Sequence, residues 1–323
     1  MYPDYISVKQ MKKNYEGNII TPMGCRAFLP AYQDNNGNYK VDGRFNLGVT
    51  TINLPQIAIL SKGDKQLFYN ILDERLQLAR EMGMVRYNLL KNVTSDVSPI
   101  HWQYGAIARL DKGEKIGKLF KNKYATVTVG YIGMYEVSKL MTGKSNTSPE
   151  GEKFTYDVLQ YMKNTLDEWY KENNIYFALY GTPSESTAGR LCSIDTEKFG
   201  KIKDVTDKGY YINSFHVDVR EEIDAFSKLD FEAKYQNVST GGCISYVEIP
   251  NLTNNTEAIL TVIKHMYDHI TYAEFNTKSD NCHVCKYEGE IMNNENGEWY
   301  CPQCGNKDQS RMTVVRRTCG LNN

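Results

Sequence analysis

Four cysteines near the end of the chain have the spacing of a metal site. Cys282 and Cys285 form one CxxC pair, Cys301 and Cys304 form a second, and fifteen residues separate the pairs. Each pair can grip one ion from a tight turn, and a hairpin between them completes a tetrahedral set of four thiolates. We predict a structural zinc site, with a redox or iron–sulfur role as the alternative. Because four thiolates leave no open position, this zinc would stabilise a small lobe rather than catalyse.

Cysteines 25, 192 and 243 stand alone, and Cys25 has the most unusual surroundings. It lies between a glycine and an arginine in "TPMGCRAFLP", where two prolines and a glycine favour a shaped loop. A buried packing residue is the common role of a single cysteine, and from the residues alone that alternative stays open for Cys25. Cys192 and Cys243 lack such loop signals, so we expect both to be packing residues.

Two turns rich in small polar residues could meet a ligand. "GTPSEST", residues 181–187, follows a β-rich run and offers hydroxyl groups and backbone donors at the start of a helix. That arrangement suits an anion such as phosphate, although a plain helix N-cap is the alternative. "STGGCISY", residues 239–246, is equally compatible with a glycine turn that leads into a strand.

The elements that must position these residues alternate between strands and amphipathic helices. We predict strands within residues 125–135 and 174–181, and helices over 65–84, from Pro149 onward behind a Ser148 N-cap, and over about 256–273. The side chains predicted to face inward from the helices are Phe68, Leu72, Leu76, Ala79, Met82, Phe154, Val158, Met162, Leu166, Ile259, Ile263, Met266 and Ile270. This alternation indicates an α/β architecture with a largely parallel sheet.

Composition excludes several classes of function. The 323 residues hold 38 Lys and Arg against 39 Asp and Glu, so bulk charge gives no attraction to nucleic acid or to a membrane surface. No apolar run approaches the ~18 residues of a membrane span, and the first residues lack the apolar segment of a signal peptide. The apolar rhythm changes near residue 276, which we take as a boundary between domains 1–275 and 276–323.

Taken together, the motifs resemble those of anaerobic (class III) ribonucleoside-triphosphate reductases. The resemblance covers residues 2–320 and is carried, in order, by these segments: "TPMGCRAFLP", "GRFNLGVTTINLP", "SPIHWQYGAIARL", "VGYIGMYEV", "YGTPSES", "YYINSFHV", "STGGCISYVE", the cysteine quartet and "RRTCG". It implies half of a ten-stranded α/β barrel of the ribonucleotide reductase and glycyl radical type, followed by a small zinc-binding C-terminal lobe.

The resemblance also implies a radical mechanism and its residues. Gly320 matches the glycine on which this family stores a radical, and Cys25 matches the cysteine at the tip of the finger loop. The glycyl radical would take hydrogen from Cys25, and the resulting thiyl radical would abstract the ribose 3′ hydrogen before water is lost from C2′. Asn46 would help to hold the substrate, and Glu185 is a candidate for handling a proton.

The remaining implied roles concern the substrate and the partners. Met23 would line the site, and the turn with Gly181, Thr182, Ser184 and Ser186 would meet the triphosphate. The radical would be installed by an activating enzyme that uses S-adenosylmethionine and a 4Fe-4S cluster, with formate or a thiol protein as reductant. Since oxygen cleaves such a radical, an anaerobic cytoplasm is implied.

The family's chain is longer than this one. It begins with a nucleotide-binding cone and a first half-barrel, whereas only 24 residues precede Cys25 here, and its "TCG" continues into Tyr-Leu-Gly where this chain reads "TCGLNN". We therefore expect a separate N-terminal half as a partner in a homodimeric complete enzyme, with no nucleic-acid or membrane partner. The alternative is a non-catalytic remnant or zinc-ribbon binding module that pairs with another chain.

Overall fold

The computed structural model describes residues 4–183, 185–249, 252, 255–277, 280–294 and 298–314. The helices in these ranges are α1 (Val8–Asn14), α2 (Leu54–Ser61), α3 (Lys65–Leu90), α4 (Pro99–Trp102), α5 (Met134–Thr142), α6 (Pro149–Asn173), α7 (Glu185–Phe199), α8 (Ala225–Val238) and α9 (Thr256–His269). The strands are β1 (Asp4–Ile6), β2 (Tyr32–Gln33), β3 (Tyr39–Lys40), β4 (Phe45–Asn53), β5 (Ala125–Ile132), β6 (Tyr176–Gly181), β7 (Ser245–Ile249), β8 (Tyr272–Thr277), β9 (Asp280–Cys282), β10 (Tyr287–Gly289), β11 (Met292–Asn293), β12 (Trp299–Tyr300) and β13 (Met312–Thr313).

A parallel sheet in the order β4-β5-β6, here called the central sheet, organises the larger part of the fold. All of β5 is buried, which fits a middle strand covered on both faces. Helix α3 packs closely on one face at Gly83, where an added Cβ would lie 2.7 Å from Val127 Cγ1 and 3.3 Å from the Phe177 ring. The predicted α/β architecture with parallel strands is confirmed.

A second sheet, in the order β1-β8-β7, joins the first strand of the chain to two strands that follow the central sheet in sequence. Strands β7 and β8 pair in parallel, and β1 is antiparallel to β8. Helices α8 and α9 cover this sheet with a separate apolar cluster that includes Leu229, Val247, Met266 and Phe275. The chain therefore builds parallel strand pairs in two places, and the segment before β2 precedes both of them in sequence.

The small C-terminal lobe consists of short strands around a minimal core. Strands β10, β9 and β13 form one sheet, and β11 and β12 form a hairpin. The cluster of buried residues described here consists of Cys282, Ile291, Cys301 and Met312. The predicted boundary at residue 276 falls within the end of β8, and the division into domains stays a prediction.

Most predicted elements appear where their patterns placed them. Ser148 caps α6 by accepting a hydrogen bond from Gly151 N at 3.1 Å, and the predicted apolar face of α6 is buried. Two details were wrong. Met82 is 48% exposed, since α3 turns Ala79 and Gly83 toward the sheet instead. The last helix ends at His269 rather than near 273, because Tyr272 begins β8. No helix among the described residues is both long and apolar enough to cross a membrane.

Candidate active site and metal centre

Cys25 lies at the tip of a closed loop, here called the Cys25 loop (residues 22–28). Met23 N donates to the Ala27 carbonyl at 2.7 Å and closes the loop, and Gly24 adopts a left-handed φ of +63° that the tight turn requires. The Cys25 side chain is exposed. The alternative of a buried packing residue therefore does not hold for Cys25, whereas Cys192 and Cys243 are buried as expected.

The glycine turn at residues 241–242 holds the base of the Cys25 loop. Phe28 N donates to the Gly241 carbonyl at 2.9 Å, and Gly241 N donates to the Leu179 carbonyl at 2.7 Å. A Cβ on Gly242, whose φ is +122°, would lie 2.0 Å from the Arg26 carbonyl oxygen. The turn thus links the Cys25 loop to strand β6. The segment "STGGCISY" therefore supports the loop as well as leading into β7.

One face of the central sheet gathers the residues predicted to hold substrate. Asn46 Nδ2 donates to Thr128 Oγ1 at 2.5 Å, and the hydroxyls of Thr51 and Thr182 are 3.0 Å apart. The Thr182 hydroxyl lies above Gly130, which is two positions beyond Thr128 on β5 and therefore on the same face.

Tyr180 connects the Cys25 loop to this face. It pairs with Gly130 in the register of β5 and β6, and it lies close enough to Cys25 and Arg26 for their charges to affect it. Burial is the main cause that raises the pKa of Tyr180 to about 12, so its hydroxyl stays protonated at neutral pH. Cys25 therefore lies near a polar side chain, Tyr180, that carries no charge at neutral pH.

Arg26 anchors the loop from within. It is completely buried, and its guanidinium donates to Asn213 Oδ1 at 3.2 Å and to the Tyr246 hydroxyl at 2.9 Å. Burial alone would lower the pKa of Arg26, but Tyr246, Cys25 and Tyr180 outweigh it and raise the pKa. On the other side, the Tyr272 hydroxyl donates to the Cys25 carbonyl at 3.3 Å. These contacts fix the backbone of Cys25 while its thiol faces outward.

A buried ionic group lies behind Tyr246. Glu232 Oε1 accepts from Lys228 Nζ at 2.8 Å and is 3.2 Å from His216 Nδ1. Burial lowers the pKa of His216, so the ring is neutral at pH 7 and Lys228 supplies the positive charge beside the carboxylate. His216 Nε2 has no hydrogen-bond partner among the described residues, and His216 and Lys228 line a cavity of about 200 Å³.

The turn that we predict to meet the phosphates, residues 181–186, is described only in part. Gly181 and Thr182 are buried at the end of β6, helix α7 begins at Glu185, and Ser186 is exposed in its first turn. The predicted strand–turn–helix arrangement is therefore present. Ser184 and the side chain of Glu185 lie outside the described residues, as does Gly320.

The cysteine quartet comes together in the C-terminal lobe. The Sγ atoms of Cys282 and Cys304 are 3.7 Å apart, those of Cys285 and Cys301 are 3.6 Å apart, and all four ligand atoms lie within 4.8 Å of one another. These separations are far too long for disulfides, whose sulfurs are ~2.05 Å apart. A tetrahedral zinc with ~2.3 Å bonds separates its sulfurs by about 3.8 Å, so the residues fit that ion.

The two CxxC pairs have the same local conformation. Lys286 N donates to the Cys282 carbonyl and Gly305 N to the Cys301 carbonyl, each at 2.8 Å. Lys286 and Gly305, each four residues beyond the first cysteine of its pair, both have positive φ, at +59° and +70°. Asn306 Nδ2 also approaches Cys282 Sγ at 3.8 Å. His283 is exposed and pairs with Thr313, so it takes no part in the quartet.

Comparison with known proteins assigns the family. The family profile of anaerobic ribonucleoside-triphosphate reductases matches residues 1–322 of this chain. The chain belongs to the anaerobic ribonucleoside-triphosphate reductase family. It is 41% identical over 323 residues to the anaerobic ribonucleoside-triphosphate reductase of Escherichia coli K12, covering 99% of this chain and 45% of that protein. The corresponding enzyme of Enterobacteria phage T4 is 41% identical over 326 residues, covering 99% of this chain and 52% of that protein.

Solved structures of anaerobic ribonucleotide reductases share the fold. One, described as an anaerobic ribonucleotide reductase, superposes with a TM-score of 0.63 at 22% identity, covering 90% of this chain and 43% of its own. The Thermotoga maritima anaerobic reductase in complex with dATP and CTP gives a TM-score of 0.62 at 21% identity, covering 93% of this chain and 47% of its own. The chain thus spans about half the length of the relatives it matches.

Sequence reasoning missed the residues that support Cys25. Arg26, Asn213, Tyr180 and Tyr246 are far apart in sequence, and no spacing rule joins them. All four lie inside segments that carried the resemblance, which is the signal that could have found them. The contacts explain why those segments lie together, because all of them support the Cys25 loop.

Proposed function

We propose that this chain supplies the Cys25 loop, the second half-barrel and the C-terminal lobe with its radical-bearing glycine to an enzyme that reduces ribonucleoside triphosphates anaerobically. The observation that carries the proposal is the exposed Cys25 thiol on a loop fixed by buried Arg26. The loop lies beside a sheet face where Asn46 and Thr182 present polar groups. Membership of the family supplies the chemistry expected of that arrangement.

In the proposed reaction, Gly320 holds an unpaired electron on its Cα and takes a hydrogen atom from the Cys25 thiol. The thiyl radical then takes the 3′ hydrogen of the ribose, and the 2′ hydroxyl leaves as water after protonation, for which Glu185 is the candidate donor. Two electrons and a proton from formate or a thiol protein then place a hydrogen at C2′, where the hydroxyl was lost, and complete the reduction. Cys25 finally returns its hydrogen to C3′ and retakes one from Gly320.

The binding roles follow the same arrangement. Asn46 and Met23 would contact the nucleoside part of the substrate. Gly181, Thr182, Ser184 and Ser186 would meet its phosphates, where the start of α7 adds backbone donors and a favourable dipole. Zinc on the cysteine quartet would cross-link the lobe that carries Gly320. This lobe, residues 276–323, and residues 1–275 would be the two domains of the chain.

The complete enzyme requires further components. We propose an N-terminal half that completes the barrel, a homodimeric assembly, and an activating enzyme that uses S-adenosylmethionine and a 4Fe-4S cluster, all in an anaerobic cytoplasm. The coverage of about half of each relative supports the first of these.

Two variants test the radical relay in protein reconstituted with an N-terminal half and an activating enzyme under strict anaerobiosis. Cys25→Ser should still give the glycyl EPR signal yet reduce no substrate, because a serine O–H bond is too strong for a glycyl radical to break. Gly320→Ala should lose both. Cys192→Ser is the matched control, since this buried cysteine lies in another apolar cluster and its thiol hydrogen-bonds there to Thr196 and the Thr206 carbonyl.

Two results would overturn the assignment. Turnover by Cys25→Ser would remove this thiol from the reaction, and an unchanged EPR signal in Gly320→Ala would place the radical elsewhere. A reconstituted wild-type protein that binds its N-terminal half but never accepts a radical would favour the non-catalytic alternative, in which the chain acts only as a binding module.

A further inference from the structure

Two histidines and an aspartate form a cluster on the outer surface of helices α8 and α9. His265 and His269 are one turn apart on α9 and so project from the same face. His265 Nε2 is 2.8 Å from Asp230 Oδ1 on α8, and His269 Nδ1 is 3.8 Å from the same oxygen. The two imidazole rings stack at 4.4 Å between centroids with an interplanar angle of 22°.

We propose that this cluster is a second metal site, one that takes a divalent transition-metal ion of the Zn²⁺, Ni²⁺ or Cu²⁺ class. Two imidazoles and one carboxylate are donors that these ions prefer, and a histidine pair four residues apart on a helix is an established way to present two of them. The candidate ligand atoms of all three residues lie within 4.8 Å of one another.

The distances suit coordination with little movement. An ion with bonds of about 2.0–2.1 Å holds neighbouring ligands about 2.9–3.4 Å apart. The 2.8 Å separation of His265 from Asp230 already approaches that range. The 3.8 Å separation of His269 needs a shift of under 1 Å in a side chain that is half exposed. Water would fill the other positions, so this site is open, unlike the cysteine quartet.

The residues around the cluster restrain His265 and favour the binding of a cation. The Phe226 ring contacts His265 edge-on at 5.1 Å, which restrains that imidazole. His269 is the last residue of α9, where the helix dipole attracts positive charge. Asp268 lies beside it but is paired with Lys9 at 2.7 Å. A bound ion would therefore join α8 to α9 over the sheet that leads into the C-terminal lobe.

Calorimetric titration of Ni²⁺ into the full, untagged chain, already holding one equivalent of zinc, tests the proposal. Wild type should bind one further equivalent. Removing even a hydrogen-bond partner of a metal ligand weakens metal binding about 10- to 100-fold, so His265→Ala and Asp230→Asn should each weaken it at least tenfold. His101→Ala is the control, because His101 is exposed on α4 and pairs with Ser98.

The outcomes separate a metal site from a plain ion pair. Cu²⁺ bound by wild type should show nitrogen hyperfine structure from two imidazoles in its EPR spectrum, and His269→Ala should reduce this to one. No second equivalent in wild type would overturn the proposal. So would a second equivalent that both variants retain, which would be adventitious surface binding. Far-ultraviolet circular dichroism of each variant shows whether α8 and α9 are intact, and Asp230→Asn preserves side-chain size if His265→Ala does not fold.

Discussion

Glu232 is a fully buried carboxylate whose charge depends on its neighbours. Burial alone would raise its pKa, but Lys228 and His216 lower it to about 2 from an ordinary 4.5. Since the unfolded chain then binds the proton more tightly, the stabilisation is present above pH 4.5 and is lost as pH falls from 4.5 to about 2. It amounts to something on the order of 3 kcal/mol.

Glu232→Gln should therefore destabilise the protein at neutral pH by about 3 kcal/mol, since it leaves the partly buried Lys228 beside an uncharged amide. Between pH 4.5 and 2 its free energy of unfolding should fall less steeply than that of wild type. Urea denaturation at a series of pH values measures both effects. The control is Glu197→Gln on the exposed part of α7. If the free energy of unfolding fell equally steeply with pH in wild type and Glu232→Gln, another carboxylate would be responsible for the acid sensitivity.

Single residues divide into those that sequence can identify and those it cannot. The cysteine quartet is visible because CxxC spacing itself encodes the knuckle, and the positive φ at Lys286 and Gly305 repeats that geometry. The support for Cys25 is not visible, because Arg26 meets Asn213 and Tyr246 across 187 and 220 residues of sequence. Periodicity and spacing report neighbours along the chain, and only the folded sheets bring these groups together.

At the scale of elements, the turn before β7 controls the Cys25 loop. Gly242→Ala would place a Cβ 2.0 Å from the Arg26 carbonyl, at a φ of +122° that alanine rarely adopts. Both effects force the loop away from β6, so we expect a loss of at least ~3 kcal/mol in unfolding free energy and loss of turnover in the reconstituted enzyme. Urea denaturation and turnover assays check this.

Gly189→Ala provides the matched comparison for that variant. Gly189 lies inside α7, and the nearest atom to an added Cβ is the Gly209 carbonyl oxygen at 3.8 Å. Alanine there should stabilise the protein by up to ~1 kcal/mol through helix propensity. If Gly242→Ala proved as harmless as Gly189→Ala, the close approach of the turn to the loop would not exist in solution.

Element prediction succeeded where local chemistry decides the outcome and failed where packing does. The Ser148 cap and the proline that follows it fix the start of α6 by themselves. The end of the last helix depends instead on Tyr272 pairing with Ile6 and lying in β8, which no local pattern announces. Likewise, α3 continues to Leu90 with Met82 exposed, because close contact of Gly83 with β5 sets the rotation of the helix.

At the scale of the molecule, we expect the C-terminal lobe to depend on zinc bound by the cysteine quartet. Two of its four described fully packed core residues, Cys282 and Cys301, are also ligands, so removing zinc removes the core. Structural zinc contributes on the order of 10 kcal/mol in small domains. Chelation, or Cys301→Ser, should therefore abolish hydrogen-exchange protection in strands β9 to β13 and leave β4, β5 and β6 protected. Protection that survives complete zinc removal would contradict this, with Cys192→Ser as the control for losing a thiol.

The last prediction concerns what the whole chain can do by itself. Strand β4 is an edge of the central sheet, Val49 on it is 40% exposed, and Cys25 is open to solvent in the described structure. A thiyl radical there would be quenched by water-borne reductants and would lack a sealed cavity for substrate. We therefore expect no turnover from this chain with an activating enzyme alone, and turnover once an N-terminal half is added. Pairing of that half should also protect β4 amides from hydrogen exchange, because an unpaired edge strand is the surface a neighbouring strand would cover. Deoxyribonucleotide formed without the added half would show that the chain closes its own cavity, and protection of β4 without turnover would separate assembly from catalysis.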